Sequence, residues 1–328
     1  VDQLTIKENR DAPRDEWERV ARACDYATFF HTPLWYELLR VQMGARFKPA
    51  ARAIIFSDGG TAVLVAGRDC RWLRSMLHSS PAGTYGGWIG EKPLTPAHAR
   101  LLAGLLARNK AVSWRENPYD PGAGLYDMPG AVEDFTHAYC VSAPEVDPLR
   151  GASGGHCRAV RQAREHGIAV RIGGSIDDWR GHFDAYRSSL ARWSDRRLHI
   201  GSRYSWRFFS ALAQAESPHI RLWIAELHSK LLSSMVTFNW NRHAVAWHGG
   251  AYAESFHLRP NDLLLESFVR DAQEKGYRYI DLNPSAGLEN VAAFKDHLGA
   301  RRMPHRVLIR RPLLSALASR VRSLRHGL

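Results

Sequence analysis

Phe294 and Lys295 follow Asp281 by 13 and 14 residues, room for one loop and the first turn of a helix. A lysine beside an aromatic that buries and fixes the backbone can project its ammonium into a cleft. There the charge can meet a developing oxyanion or a terminal phosphate. The same pattern also suits a surface lysine on an amphipathic turn. Asp281, Asn283 and Ser285 close an apolar strand pattern, and sites on α/β sheets gather at the carboxyl ends of strands. Asp281 can accept a proton or orient an amine there, with Ser285 hydrogen-bonding nearby; capping the next turn is the plainer role. His248 is a candidate base because imidazole titrates near neutrality, although it is one of 16 histidines.

The elements that must position these groups recur. Tyr85-Gly86-Gly87-Trp88 leads to Pro96, a helical run (Ala97 to Asn109), a strand (Ala111 to Arg115) and Asn117-Pro118. Trp247-His248-Gly249-Gly250 leads to Pro260, a helical run (Leu263 to Glu274), a strand (Tyr277 to Leu282) and Asn283-Pro284. Upstream of each lies a predicted β-hairpin, Ala51–Phe56 with Thr61–Ala66 and Ile220–Leu227 with Leu231–Asn239. Each half opens with helix: Arg14–Cys24 and Pro33–Val41, then Cys157–His166 and Ile176–Trp193. This order implies an internal duplication of one mixed sheet covered by helices, an α/β fold. The glycine pairs let a backbone or a ligand approach a strand end closely. Tyr85, Trp88, Trp247 and Tyr252 flank them, either walling a groove or filling a bulge from the core. Arg115 enters as a candidate through the repeat.

A chain of 328 residues exceeds the usual single domain, and 45% hydrophobic residues suffice for two cores. Ser142 to His156, rich in Pro, Gly and Ser, reads as the linker. The expected domains are 1–145 and 146–311, followed by a basic amphipathic helix over 312–328. Arg158, Arg161 and Arg164 have helical spacing and either clamp phosphates or form a solvated face. Four scattered cysteines without CxxC spacing imply reduced thiols, with neither a disulfide framework nor a metal site. The polar, acid-containing first residues and the absence of a long apolar run imply a soluble, cytoplasmic protein.

Three stretches resemble the FemABX peptidoglycan-bridge enzymes and their GNAT-like relatives. Thr28-Phe29-Phe30-His31-Thr32-Pro33-Leu34-Trp35 is similar to that family's opening motif, which ends on the tryptophan. Arg158-Ala159-Val160-Arg161-Gln162-Ala163 with Gly167 is similar to its helix at the start of the second half. Tyr279-Ile280-Asp281-Leu282, Phe294-Lys295 and Gly299-Ala300 are similar to its ending. The resemblance implies two tandem GNAT-like domains and acyl transfer that forms an amide on an amine acceptor. It implies catalytic roles for Lys295 and Asp281. Substrate contacts are then expected from Trp35, Tyr85, Gly86, Arg115, Asn117, Arg158, Arg161, Trp247, His248, Tyr252, Asn283, Ser285 and Phe294. No resident cofactor is implied, since the donor is a substrate.

Two departures bear on that donor and its acceptor. The GNAT acyl-CoA loop is glycine-rich, whereas the corresponding place reads His257-Leu258-Arg259-Pro260-Asn261-Asp262. The backbone donors that cradle a pyrophosphate are not evident there, which favours aminoacyl-tRNA over acyl-CoA. Asn117 stands where the bridge enzymes commonly have Asp before proline, which leaves open a cell-wall precursor, a lipid-linked amine or a small-molecule amine as acceptor. An acyl-CoA N-acyltransferase of surface polysaccharide biosynthesis and a non-catalytic RNA- or membrane-binding relative are the alternatives.

The net charge is +12, and residues 301–328 hold eight arginines and no acid. Leu313, Leu314, Leu317, Val321 and Leu324 mark one helical face among them. Such a segment suits contact with tRNA or with the anionic inner face of the membrane. Removing residues 312–328 is expected to lower affinity for anionic liposomes or tRNA, with the difference shrinking as salt rises. Binding that is unchanged across a salt titration would assign the segment to solubility alone.

Overall fold

The computed structural model describes residues 3–71, 74–143, 145–195, 203–285 and 288–311. In chain order they form β1 (Ile6–Asp11), α1 (Arg14–Ala23), α2 (Pro33–Met43), β2 (Phe47–Pro49), β3 (Arg52–Phe56), β4 (Thr61–Val65), β5 (Gly67–Arg71), β6 (Arg74–His78), β7 (Gly87–Gly90), α3 (Pro96–Ala107) and β8 (Val112–Arg115). Then come β9 (Val132–Cys140), α4 (Gly154–Glu165), β10 (Ala169–Gly173), α5 (Ile176–Asp195), α6 (Trp206–Gln214), β11 (Ile220–Leu227), β12 (Lys230–Trp240), β13 (His243–Ala251), α7 (Pro260–Glu274), β14 (Tyr279–Pro284), α8 (Glu289–His297) and β15 (Arg301–Arg310). The class is mixed α/β, as the order of elements implies. The described residues divide into two compact units, one from stretches within 3–24, 30–134 and 304–311 and the other from stretches within 25–29 and 135–303. The basic segment 312–328 lies outside the described residues.

In the first unit, β1, β3, β4 and β7 form an antiparallel sheet. The β3–β4 turn is set by its own side chain: Asp58 Oδ1 accepts from Gly60 N at 2.9 Å, and Gly59 takes a φ of 83°. Helix α3 starts at Pro96 with a Thr95 cap whose hydroxyl accepts from His98 N at 3.4 Å. Its Ala99, Leu102 and Leu106 pack with Ile54, Leu64, Trp88 and Trp114.

The second unit builds one sheet. Strands β10, β11, β12 and β13 are antiparallel, β13 pairs parallel with β14, and β14 pairs antiparallel with β9. Helix α7 covers one face, where Phe268 meets Trp223 edge-on at 6.0 Å. Trp223 lies opposite Met235 in the β11–β12 register, and both belong to that core. Helix α5 covers the other face, bonding Ser234, whose side chain points opposite to that of Met235. Helix α4 is capped by Ser153, which accepts from His156 N at 3.3 Å, and buries Ala159, Val160 and Ala163.

The duplicated order of elements is present in both units, but the strand pairing is not duplicated. In the second unit the strand carrying the glycine pair, β13, lies parallel to β14, which ends in Asn283-Pro284. In the first unit β7 pairs antiparallel with β4, and β8 runs parallel to β6 instead. The hairpin β5–β6 takes that position, and the described residues of the second unit have no such hairpin.

Each glycine pair admits a neighbouring backbone. A Cβ on Gly86 would stand 2.2 Å from the Ser79 carbonyl oxygen, and one on Gly250 would stand 2.7 Å from Tyr186 N in α5. At Gly249 the nearest atom would be the Ser234 carbonyl oxygen at 3.7 Å, an ordinary contact. Gly250→Ala is therefore expected to cost about 1–3 kcal/mol in urea unfolding by forcing α5 away from β13. Gly249→Ala is expected to stay within about 0.5 kcal/mol of wild type. Equal effects would mean that α5 does not rest on the strand at Gly250.

Candidate functional site

All the groups at the site belong to the second unit. Strands β13 and β14 pair only over His243↔Tyr279, Ala244↔Ile280 and Val245↔Asp281, although both run on. Two local irregularities end the pairing. Across from β12, Ala246 and His248 take consecutive partners, so Trp247 bulges out of register. On β14, Asn283 adopts a left-handed φ of 63°, and its N–H is captured by Asp281 Oδ1 at 2.6 Å. An asparagine tolerates that conformation better than most residues. Its amide nitrogen then spans the gap to the Trp247 carbonyl at 3.5 Å.

The opening becomes a cavity of about 260 Å³. Met235, Leu264, Leu265, Leu282 and Leu298 supply apolar wall, and Ser234, His248, Asn261, Asn283 and Lys295 supply polar groups. A groove of about 600 Å³ adjoins it, sharing Gly249, Asn261 and Phe294 and reaching Arg259 and Asp262 at the start of α7.

Lys295 is 8% exposed, and Phe294 beside it is 41% exposed. This reverses the expected arrangement: α8 turns the lysine inward and the phenylalanine outward. Lys295 Nζ donates to the Asn283 carbonyl at 2.7 Å and to Ser285 Oγ at 3.1 Å. Those bonds use two of its three protons, leaving the third for the cavity. Burial pushes the ammonium down to about 8, against the opposing pull of the Asp281 charge. Asp281 is fully buried and accepts from Thr136 Oγ1 at 2.6 Å as well as from Asn283 N. It does not line the cavity; it fixes the turn that does. Asn283 Oδ1 is buried without a hydrogen-bond partner and is an acceptor available to an amine.

His248 is enclosed by Tyr186, Tyr204, Phe209 and Trp247. Burial pushes its imidazole down to about 3, so it is neutral at physiological pH. Its Nδ1 lies 3.2 Å from Nε2 of His182, whose Nδ1 lies 2.8 Å from Ser234 Oγ. Sequence reasoning missed His182 and Ser234. The available signal was the spacing Trp179, His182, Ala185, Tyr186, Ser189, which puts His182 on the buried stripe of α5.

Lys295, Asn283, Ser285, Trp247, His248 and Phe294 are thus brought together, with Asp281 behind them. The other candidates lie elsewhere. Trp35 and Tyr85 are core residues of the first unit, with Trp35 Nε1 donating to Ser80 Oγ at 3.1 Å, and Gly86 packs on Ser79 there. Arg115 binds Asp134 and sits 2.9 Å from His305 Nε2, and Asn117 Oδ1 accepts from Tyr119 N at 3.1 Å. Arg158 and Arg161 occupy the solvated face of α4, where Arg161 faces Glu165 at 3.9 Å. Tyr252 is half-buried at the end of β13 and lines neither cavity.

Residues 156–296, which carry both sides of the cleft, match the family model described as Acetyltransferase (GNAT) domain. This segment is similar to GNAT domains. The whole chain is similar in fold to the crystal structure of FemX, at TM-score 0.66 and 11% identity over 94% of this chain and 99% of that one. L-PGS from Bacillus licheniformis gives 0.55 and 11%, covering 94% and 96% of the two chains. A C-terminal domain named for lysylphosphatidylglycerol synthetase, from Agrobacterium fabrum, gives 0.53 and 11%, covering 93% and 94%. No curated protein matches the sequence. Among the described residues no helix is long and apolar enough to cross a membrane.

The depressed Lys295 makes a prediction about the second unit's stability. A lysine that loses its proton more readily when folded disfavours the native state below about pH 8, where the charge must stay buried. Between pH 8 and the ordinary lysine range the unfolded chain holds more protons, so stability contributed at this position rises with pH. The shift corresponds to up to roughly 3 kcal/mol. Lys295→Met removes the penalty. Its advantage in urea unfolding over wild type is expected to be largest at pH 7 and to shrink toward pH 10. A gap independent of pH would mean that the ammonium is not buried.

Proposed function

We propose that the second unit forms an amide bond on an amine acceptor with aminoacyl-tRNA as donor. The reading rests on Lys295, a buried ammonium with one uncommitted proton at a cavity opened by strand divergence. An amine attacking an ester carbonyl drives negative charge onto oxygen, and a fixed cation in a poorly solvated site stabilises that charge most. Asn283 Oδ1 accepts from the attacking amine and holds its lone pair toward the carbonyl.

The start of α7 supports an aminoacyl ester over acyl-CoA. Arg259 is left-handed, Pro260 has no N–H to give, and no glycine exposes successive amides. Asp262 sits in the first helical turn, held by His156 Nδ1 at 3.0 Å, and lines the groove. Its carboxylate already answers the positive end of the helix and opposes a second anion there. The names of the fold neighbours, FemX and lysylphosphatidylglycerol synthetase, support the same class. A cell-wall precursor or a small-molecule amine is the acceptor in this reading. The basic segment 312–328 then serves tRNA or an anionic membrane face.

The purified protein is expected to transfer the aminoacyl group of charged tRNA to an amine and to leave acetyl-CoA unused. Lys295→Met should lower kcat by about 10²–10³ with KM for the acceptor little changed, since the charge develops in the transition state. Turnover of acetyl-CoA alone would overturn the donor assignment. Full activity of Lys295→Met would remove the lysine from the mechanism.

A further inference from the structure

The buried chain Ser234–His182–His248 has no part in the reading above. His182 sits on α5 behind the cavity and touches both Ser234 and His248, and these two residues line it. Both ends of the chain therefore belong to residues that line one cavity. Resting on the amide-forming reading, we infer that Ser234, His182 and His248 form a neutral proton relay that moves one proton from the attacking amine to the leaving oxygen.

The chain has two complete hydrogen-bonding patterns. In one, His248 Nδ1–H donates to His182 Nε2, and His182 Nδ1–H donates to Ser234 Oγ. His248 Nε2 is then a lone pair, and the serine proton is free to leave. In the other, Ser234 donates to His182 Nδ1, His182 Nε2–H donates to His248 Nδ1, and His248 Nε2 carries hydrogen. Both patterns are uncharged, which suits rings packed among Trp179, Tyr186, Tyr204 and Phe209. Burial holds both imidazoles well below their ordinary range, so neither stores a proton as imidazolium.

Transfer converts the first pattern into the second. The neutral amine attacks, the C–N bond forms, and the carbonyl electron pair moves to oxygen, where Lys295 meets it. The amine proton passes to His248 Nε2, the Nδ1 proton to His182 Nε2, and the His182 Nδ1 proton to Ser234 Oγ. Ser234 releases its own proton to the leaving oxygen as the C–O bond breaks and the oxyanion returns its pair to carbon. One proton enters and one leaves, so no net charge is added. Exchange with water in the open cavity restores the first pattern. His182 touches neither substrate and is a positioning residue in this scheme.

The experiment compares wild type with Ser234→Ala and His182→Phe, using charged tRNA and a simple primary amine. Each variant is expected to lose about 10- to 100-fold in kcat with KM unchanged. The wild-type proton inventory in mixed H2O/D2O should curve, from several protons in flight, and become linear in Ser234→Ala. Should His182→Phe fail to fold, Ser234→Ala, a smaller change, carries the test. Wild-type kcat in Ser234→Ala, with only a lowered melting temperature, would make the chain purely structural. Nitrogen-15 spectra of the wild-type imidazoles decide independently of activity. Two neutral rings from pH 5 to 9 are expected, and an imidazolium on either would overturn the relay. A wild type inactive with any donor sinks the amide-forming reading and is distinct from an active wild type whose variants are unaffected.

Discussion

The divergence of β13 from β14 is the constraint on which the rest of the site depends. Parallel strands that stayed paired to their ends would close the sheet and leave no cavity. Pairing stops after three residue pairs because each strand carries its own irregularity at the same level. The bulge at Trp247 turns one backbone out of register, and the left-handed Asn283 turns the other. Asp281 holds the second irregularity in place, binding Asn283 N while Thr136 on the neighbouring β9 anchors the carboxylate. Two hydrogen bonds to one buried carboxylate thus fix the turn on which the opening depends. The walls fill whatever opening the strands leave.

The same turn explains why a lysine can be buried. The Asn283 carbonyl, exposed by the left-handed backbone, is the acceptor that Lys295 needs, and Ser285 two residues on is the second. A buried ammonium without such partners would cost several kcal/mol or lose its proton outright. Asp281, fixed behind the turn, keeps the site net neutral while staying out of the cavity. Strand irregularity, carboxylate and lysine are therefore linked by one run of hydrogen bonds.

Much of this was legible in the sequence. The strands β11 and β12, α7 and β14 follow apolar periodicity and turn residues closely, and the repeat placed Asn283 and Gly249-Gly250 at strand ends. Asp281, Asn283 and Ser285 stood out because chemistry-bearing residues at the end of an apolar strand are unusual, and Lys295, on α8, stood out through its place beside Phe294. What periodicity cannot carry is pairing. The hairpin β5–β6 sits beside β8 where the repeat implies β7, because strand partners are chosen by tertiary packing that no local pattern records. The orientation of α8 failed for a related reason. Phe294 is the better core residue by composition, but α8 sets Lys295 against the polar acceptors of the β14 turn and leaves the ring exposed. The arginines of α4 followed the ordinary rule that a helix turns its small apolar residues inward and its charges outward.

The polar lining carries one further piece of logic. Lys295 is the single charged side chain among the described residues lining the cavity. In the proposed amide-forming reaction one negative charge would develop on oxygen, and one cation would answer it. A second charge, on a histidine or a carboxylate in the lining, would either compete for the lysine or weaken its field on the oxyanion. The buried histidines avoid this by remaining neutral, and Asp281 avoids it by lying outside the lining, its Oδ1 accepting from Thr136 Oγ1 and the Asn283 amide. In the proposed reaction the attacking amine would have to arrive without its proton, since nothing neutral in the lining is basic enough to take it from an ammonium. That requirement would favour acceptors whose amines are held in an environment that already depresses their proton affinity, and the apolar walls of Leu264, Leu265, Leu282 and Leu298 would supply such an environment.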